Sequence, residues 1–345
     1  MVGSSEDSGG GVASVMRIMK LMPFWSKYNC SWLGLQVQGN LYNKLLYALR
    51  GYCKAICIIW NYDIIHFHSV PDGNCLYVQF PVFLIARFSG KKIITHLHVG
   101  NQLEYPKYRN KIIFRWWLKK SSYVVLLANR FVELYKKYYI DIETPFSVIY
   151  NACDDVDAIP YEEHDKTIIF AGSFVTNKGG EHLLEAFGRI CQQYPDWSIK
   201  MLGDGPNLIK YYEIIEKYKM HNRIELPGHV TGNTLKGYFR RAGIYAMCSD
   251  HEGFPMVVLE SWAYGIPVIC TPVGGLPDVI EEGKNAVCYN HGNIEQLISC
   301  LRKLMDNEQL RKEMSNYSIE FGKKVFGKEV INKKIDKLYS KILNG

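Results

Sequence analysis

Apolar and polar positions along this chain alternate between two periods. Short apolar runs at 31–37, 63–67, 92–98, 123–127 and 147–150 read as buried strands, with helical spacing between them at 42–59, 76–88 and 129–138. An acidic, aperiodic stretch at 151–166 reads as a linker. The alternation then resumes, with strands at 167–171, 197–202, 223–226, 243–248 and 266–270, and helices over 294–321 and 328–343 close the chain. Strands alternating with helices predict parallel sheets covered on both faces. The expected fold class is α/β, with two Rossmann-like, doubly wound domains at 1–155 and 156–325 and a final helix at 326–345.

One stretch organises the second series. Residues 249–275 read SDHEGFPMVVLESWAYGIPVICTPVGG, a turn, an apolar helix and a strand following the run 243–248. Pro255 suits a first helical position, so the helix is expected to start there, with Glu252 just ahead and Glu260 in its second turn. Free N–H groups at that helix start would favour an anion, and the two carboxylates would accept from hydroxyl groups. A phosphorylated polyol such as a nucleotide sugar meets both demands. Either glutamate alone is more often a surface residue; the Gly274-Gly275 turn that closes the unit favours the functional reading. Lys178 sits in a glycine-containing strand-to-helix loop of the same domain, where its point charge could reach a diphosphate; a solvated loop lysine is the plain alternative. The cluster Gly9-Gly10-Gly11 runs into a helical pattern in the first domain, a weak phosphate-binding signal by itself. Ligands of parallel sheets bind beyond the carboxyl ends of the strands, where His68, His98 and Asn151 stand. Strand-end histidines are more often structural. His96 and His98 share a face by alternation, and His98 is the better candidate because it lies nearer the strand end.

Charge sharpens the picture. The net charge of +7 lies entirely in residues 1–160, which hold 18 Lys/Arg against 11 Asp/Glu. The densest piece, 107–120, has a basic face beside an Ile/Phe/Trp face. It reads equally as an interfacial membrane helix or as an amphipathic domain helix. The excess points to an anionic partner such as a membrane surface; no nucleic-acid motif accompanies it, so nucleic acid is not expected. Ten scattered cysteines without metal spacing, and no secretory or membrane-spanning segment, read as a reduced, cytoplasmic protein resting on the inner face of the membrane.

The chain resembles family 4 of the retaining glycosyltransferases, of GT-B fold with two facing Rossmann-like domains, and the bacterial surface-polysaccharide members in particular. The resemblance runs along nearly the whole length. It rests on Glu252-x7-Glu260 with its Gly253-Phe254-Pro255 turn, the run through Gly274-Gly275, Phe170-Ala-Gly-Ser173 with Lys178-Gly179, Gly203-Asp-Gly205-Pro, Gly228-His229-Val230, Val148-Ile-Tyr-Asn151 and Gly9-Gly10-Gly11. It implies that Glu260 holds the donor ribose, and that Glu252 with Gly253 and Phe254 holds the transferred sugar. Lys178, assisted by the helix start and the Gly10-Gly11 turn, would neutralise the leaving diphosphate. His229 and Val230 would border the base, His98 would lie near sugar and acceptor, and the final helix would cross back to the first domain. A nucleotide-sugar donor, a glycan or lipid-linked acceptor and no metal follow from the same resemblance. Two departures stand out. Ser173 occupies the place of the family's usual arginine, and Arg240 and Arg241 lie on the wrong helix to replace it. Only Met1-Val2 precedes the glycine loop where the family has its first, central strand, so a start downstream of the natural one is expected. Another GT-B activity, a phosphorylase or epimerase, and a non-catalytic nucleotide-sugar-binding protein are the competing readings.

Overall fold

The computed structural model describes residues 1–37, 39–70, 73–98, 103, 105 and 111–344. The chain divides into two compact units, Met1–Ala152 with Phe326–Gly345, and Cys153–Val325.

The first unit is built on a parallel sheet of β1 (Val2–Ser4), β2 (Leu33–Gln36), β3 (Ile64–Ser69), β4 (Lys92–Leu97), β5 (Tyr123–Leu126) and β6 (Phe146–Val148), in the order β2-β1-β3-β4-β5-β6. The three residues of β1 lie inside the sheet, so the strand that the resemblance places centrally is present in short form. The glycine loop leads into the helix Gly11–Lys20, which buries Ala13, Val15, Met16, Ile18 and Met19. Register pairs His68 with His96 across β3 and β4, and alternation puts His66, His68, His96 and His98 on one face. The helix Ile112–Lys120 settles half of the ambiguity in the basic stretch: Phe114, Trp117 and Leu118 are buried, Trp117 stacks on Phe83 at 4.0 Å, and its Nε1 donates to Thr95 Oγ1 at 2.8 Å. That apolar face covers the sheet. Lys107 and the rest of 106–110 fall outside the described residues. The C-terminal helix Lys328–Asn344 belongs to this unit. Asn332 Oδ1 accepts from Phe24 N at 2.8 Å, Lys27 pairs with Asp336 at 2.5 Å, and the Tyr339 hydroxyl meets His66 Nδ1 at 2.9 Å.

The second unit repeats the design with β7 (Asp165–Ala171), β8 (Ser198–Leu202), β9 (Ile224–Gly228), β10 (Ala242–Met247), β11 (Val268–Cys270) and β12 (Ala286–Cys288), ordered β12-β11-β10-β7-β8-β9 and all parallel. β10 is buried at every position, as a strand covered on both faces must be. The chain moves outward from β7 to β8 and β9, then returns to place β10 on the other flank of β7. The strand order therefore reverses between β7 and β10, which is where ligands of such sheets bind. The stretch expected as a linker is packed: Tyr161 is buried, donates to Gly243 O at 2.8 Å and accepts from Arg311 Nε at 2.7 Å. Its acidic composition hid one buried aromatic anchor.

Candidate active site

The loops after β7 and β10 meet at the reversal point. Lys178 Nζ donates to Glu252 Oε1 at 2.5 Å, with the two side chains 29% and 14% exposed. Ser249 Oγ donates to the same oxygen at 2.7 Å. Asp250 N donates to Asn177 O at 2.8 Å, tying one loop to the other. Gly179 makes this approach possible. It has φ 64°, and a Cβ there would stand 2.3 Å from Cys248 O.

The loop after β11 closes the far side. Gly275 N donates to Gly253 O at 2.8 Å, and Thr271 Oγ1 donates to Ser249 O at 2.5 Å. Behind them the helix Met256–Ala263 buries Val258, Leu259 and Trp262, whose Nε1 donates to Asn285 O at 2.7 Å. Pro255 occupies the N-cap place instead of the first helical one expected, with φ −71° and ψ 115°. Glu260 falls in the second turn and is half-buried. Burial first, then the Glu252 carboxylate and, more weakly, the Glu260 carboxylate raise the phenol of buried Tyr245 well above its ordinary pKa.

The other sequence-predicted residues of this unit lie along the same edge. Gly203 N donates to Gly228 O at 2.9 Å, and Phe174 N donates to Asp204 O at 2.8 Å, so the turn through Gly205 is stitched to its neighbours. His229, exposed, and Val230, half-buried, follow β9. Ser173 is exposed after β7. Arg240 pairs with Asp157 at 2.9 Å and Arg241 with Asp165 at 2.9 Å. Asp165 opens β7, so Arg241 lies at the opposite edge of the sheet. A depression of about 300 Å³ lined by Asp165, Lys200, Tyr238 and Arg241 shares that opposite edge and holds none of the candidate residues. Ser249, Asn177 and Thr271 were missed from sequence. Their only signal was position, each just beyond a strand or in the lysine loop.

In the first unit, Gly10 has φ 107° and opens the helix Gly11–Lys20, and no atom of a described residue lies within 4 Å of a Cβ at Gly10 or Gly11. His98, half-buried just after β4, accepts or donates through Nε2 to His68 Nδ1 at 2.9 Å, and its backbone N donates to Ser69 O at 2.9 Å. Burial lowers His98 to about 3 and holds His66, His68 and His96 well below the ordinary imidazole range. All four are therefore neutral near pH 7. Ring nitrogens of His66, His68 and His96 lie within 4.8 Å of one another. The three rings are 14° to 34° from parallel with centroids 4.7 to 5.4 Å apart.

Two doubly wound parallel sheets, the second carrying a lysine and two glutamates at its carboxyl edge, have the GT-B architecture of glycosyltransferases. Residues 155–321 match the family described as Glycosyl transferases group 1, and this stretch is a glycosyltransferase group 1 domain. An uncharacterized glycosyltransferase of Methanocaldococcus jannaschii is 29% identical over 269 residues, covering 76% of this chain and 71% of that protein. N-acetyl-alpha-D-glucosaminyl L-malate synthase of Bacillus anthracis is 25% identical over 305 residues, covering 82% and 76%. In fold, the chain is similar to HepE of Anabaena solved in complex with UDP, with TM-score 0.76 at 15% identity over 99% of this chain and 98% of that one. A second HepE structure is in complex with UDP-glucose.

Proposed function

We propose that this protein is a retaining glycosyltransferase. It moves a sugar from a nucleotide-sugar donor to a glycan or lipid-linked acceptor without a metal ion, on the cytoplasmic side of the membrane in cell-surface polysaccharide assembly. The carrying observation is the meeting of Lys178 and Glu252 at the β7/β10 reversal inside the glycosyltransferase group 1 domain. Lys178 and the free N–H groups opening the helix Met256–Ala263 offer positive charge to a diphosphate. Glu252 then exchanges Lys178 for the hydroxyls of the transferred sugar, and Glu260 holds the ribose. As the diphosphate leaves, fixed donors stabilise the growing charge and need no reorganisation. The acceptor hydroxyl enters on the face the leaving group vacates, and its positioning supplies much of the rate. Neutral His98 contributes a hydrogen bond and no charge. The Gly10-Gly11 turn presents bare backbone to phosphate.

The test begins with thermal shift against UDP-, GDP- and ADP-sugars. One of them at a hundred times its Kd should stabilise the fold by about 2.7 kcal/mol. With that donor, Lys178→Ala should lower kcat/KM by roughly 10²–10³ while the unfolding temperature stays near wild type. Wild-type turnover in Lys178→Ala or Glu260→Ala would sink the assignment. NMR of the product reads the anomeric outcome, and an inverted linkage removes the word retaining. EDTA should leave the rate unchanged; a loss restored by Mg²⁺ refutes metal independence. A second reading, a binding protein without turnover, draws on exposed Ser173 and on the engagement of Arg240 and Arg241 elsewhere. Tight donor binding with neither transfer nor hydrolysis would favour it.

A further inference from the structure

The helix Leu41–Ile58 carries two apolar stripes, and the fold uses one. Ala48, Gly51 and Ala55 are buried against the first sheet. The second stripe, Leu41, Leu45, Leu49, Ile56 and, two residues beyond the helix, Trp60, recurs at helical spacing and stands 49–82% exposed. Scattered surface leucines need no explanation, but a contiguous row of large apolar side chains along one helix face does. The same helix presents Lys44, Arg50 and Lys54, all exposed, and no acidic residue. The imbalance extends well beyond it: residues 8–62 hold six Lys/Arg and no Asp or Glu.

We propose that this face docks on an anionic lipid bilayer, the helix lying in the interface plane. This deepens the membrane partner of the proposed function and rests on that reading. The combination of a bulky apolar stripe, an exposed tryptophan and flanking cations is the composition of an interfacial helix. A second copy is the competing occupant. It would bring Lys44, Arg50 and Lys54 against like charges with no carboxylate on the helix to pair them, whereas anionic headgroups supply that charge. The surface also relocates the contact from the stretch singled out by charge alone, because the helix Ile112–Lys120 buries Phe114, Trp117 and Leu118.

The experiment is vesicle flotation of the full chain with phosphatidylglycerol/phosphatidylcholine vesicles and with phosphatidylcholine alone. Wild type should float with the anionic vesicles and release as salt rises. The neutralisation Lys44→Gln/Arg50→Gln/Lys54→Gln should weaken anionic binding about 100-fold, ~5-fold for each basic residue lost. Leu45→Ser/Leu49→Ser/Ile56→Ser should abolish flotation at every lipid composition. Donor thermal shifts on the same variants should match wild type. Loss of those shifts in wild type itself would count against the glycosyltransferase reading and leave the flotation result standing. Wild type that stays with the buffer, or apolar variants that float normally, overturns the proposal. So does a dimer in gel filtration that the apolar variants convert to monomer while vesicle binding is unchanged.

Discussion

His66, His68, His96 and His98 form a stack of neutral imidazoles in the first unit, and burial is the first cause of their lowered pKa values. In the unfolded chain each returns to about 6.5. The unfolded state therefore binds more protons below that pH, and stability must fall as pH falls. The stabilisation is complete above pH 6.5 and is lost between there and the folded values, about 3 for His98. Each histidine contributes a slope of up to ~1.4 kcal/mol per pH unit in that window. The unfolding temperature should drop steadily from pH 7 to 5, and calorimetry in buffers of different ionisation enthalpy should show proton uptake on unfolding. His68→Gln should reduce that uptake by one proton. An unfolding temperature flat from pH 7 to 5.5 would refute the assignment of these residues as neutral. The face shared by His96 and His98 was legible from alternation. That His66 and His68 join the same stack depends on the register of β3 against β4, which no local pattern specifies.

At the scale of elements, the carboxyl edge of the second sheet is held by glycines. Gly274 has φ 63°, and a Cβ there would stand 2.4 Å from Gly253 O and 2.7 Å from Glu252 O. Gly274→Ala must move the turn that carries Glu252. Gly283→Ala is its control, with φ 77° and, among the described residues, nothing within 4 Å of the Cβ. Both should lose ~1–2 kcal/mol of stability from the left-handed backbone, read by chemical denaturation. Only Gly274→Ala should also weaken donor binding, about tenfold or more, measured by titration calorimetry; equal affinities in the two variants would show that the turn does not position Glu252. Most strands and the helix after Pro255 were legible, because buried parallel strands are short apolar runs and the glutamate helix has a sharp start. The meeting of Lys178 with Glu252 was not. It joins loops 74 positions apart and follows from strand order, which places β10 beside β7. Ser249 escaped for another reason: it lies three residues from Glu252 in the same loop, and a serine after a strand becomes informative only when the loop's conformation brings its hydroxyl onto that carboxylate. The packing of Tyr161 inside the stretch read as a linker shows the converse, since one aromatic among acids carries little local pattern and a whole contact.

At the scale of the molecule, the last helix is part of the first unit although the second unit precedes it in the chain. It buries Ile331, Ile335, Leu338, Tyr339 and Ile342, and caps Phe24 and His66 with Asn332 and Tyr339. Five such side chains are worth roughly 10 kcal/mol of gross burial at about 2 kcal/mol each, comparable to the whole stability of an ordinary domain. A chain ending at Phe326 should therefore lose the first unit selectively. Hydrogen exchange should show peptides over β3 and β4 losing protection, while those over β7 and β10, whose contacts lie within their own unit, keep theirs. The same truncation separates two roles of the donor residues. Lys178, Glu252 and Glu260 all sit in the unit that stays folded, so the truncated chain should retain much of its nucleotide-sugar affinity and lose transfer. Protection unchanged over β3 and β4 would mean that the helix is an ornament on a self-sufficient unit. Donor affinity lost together with that protection would show that Lys178, Glu252 and Glu260 do not suffice to hold the donor.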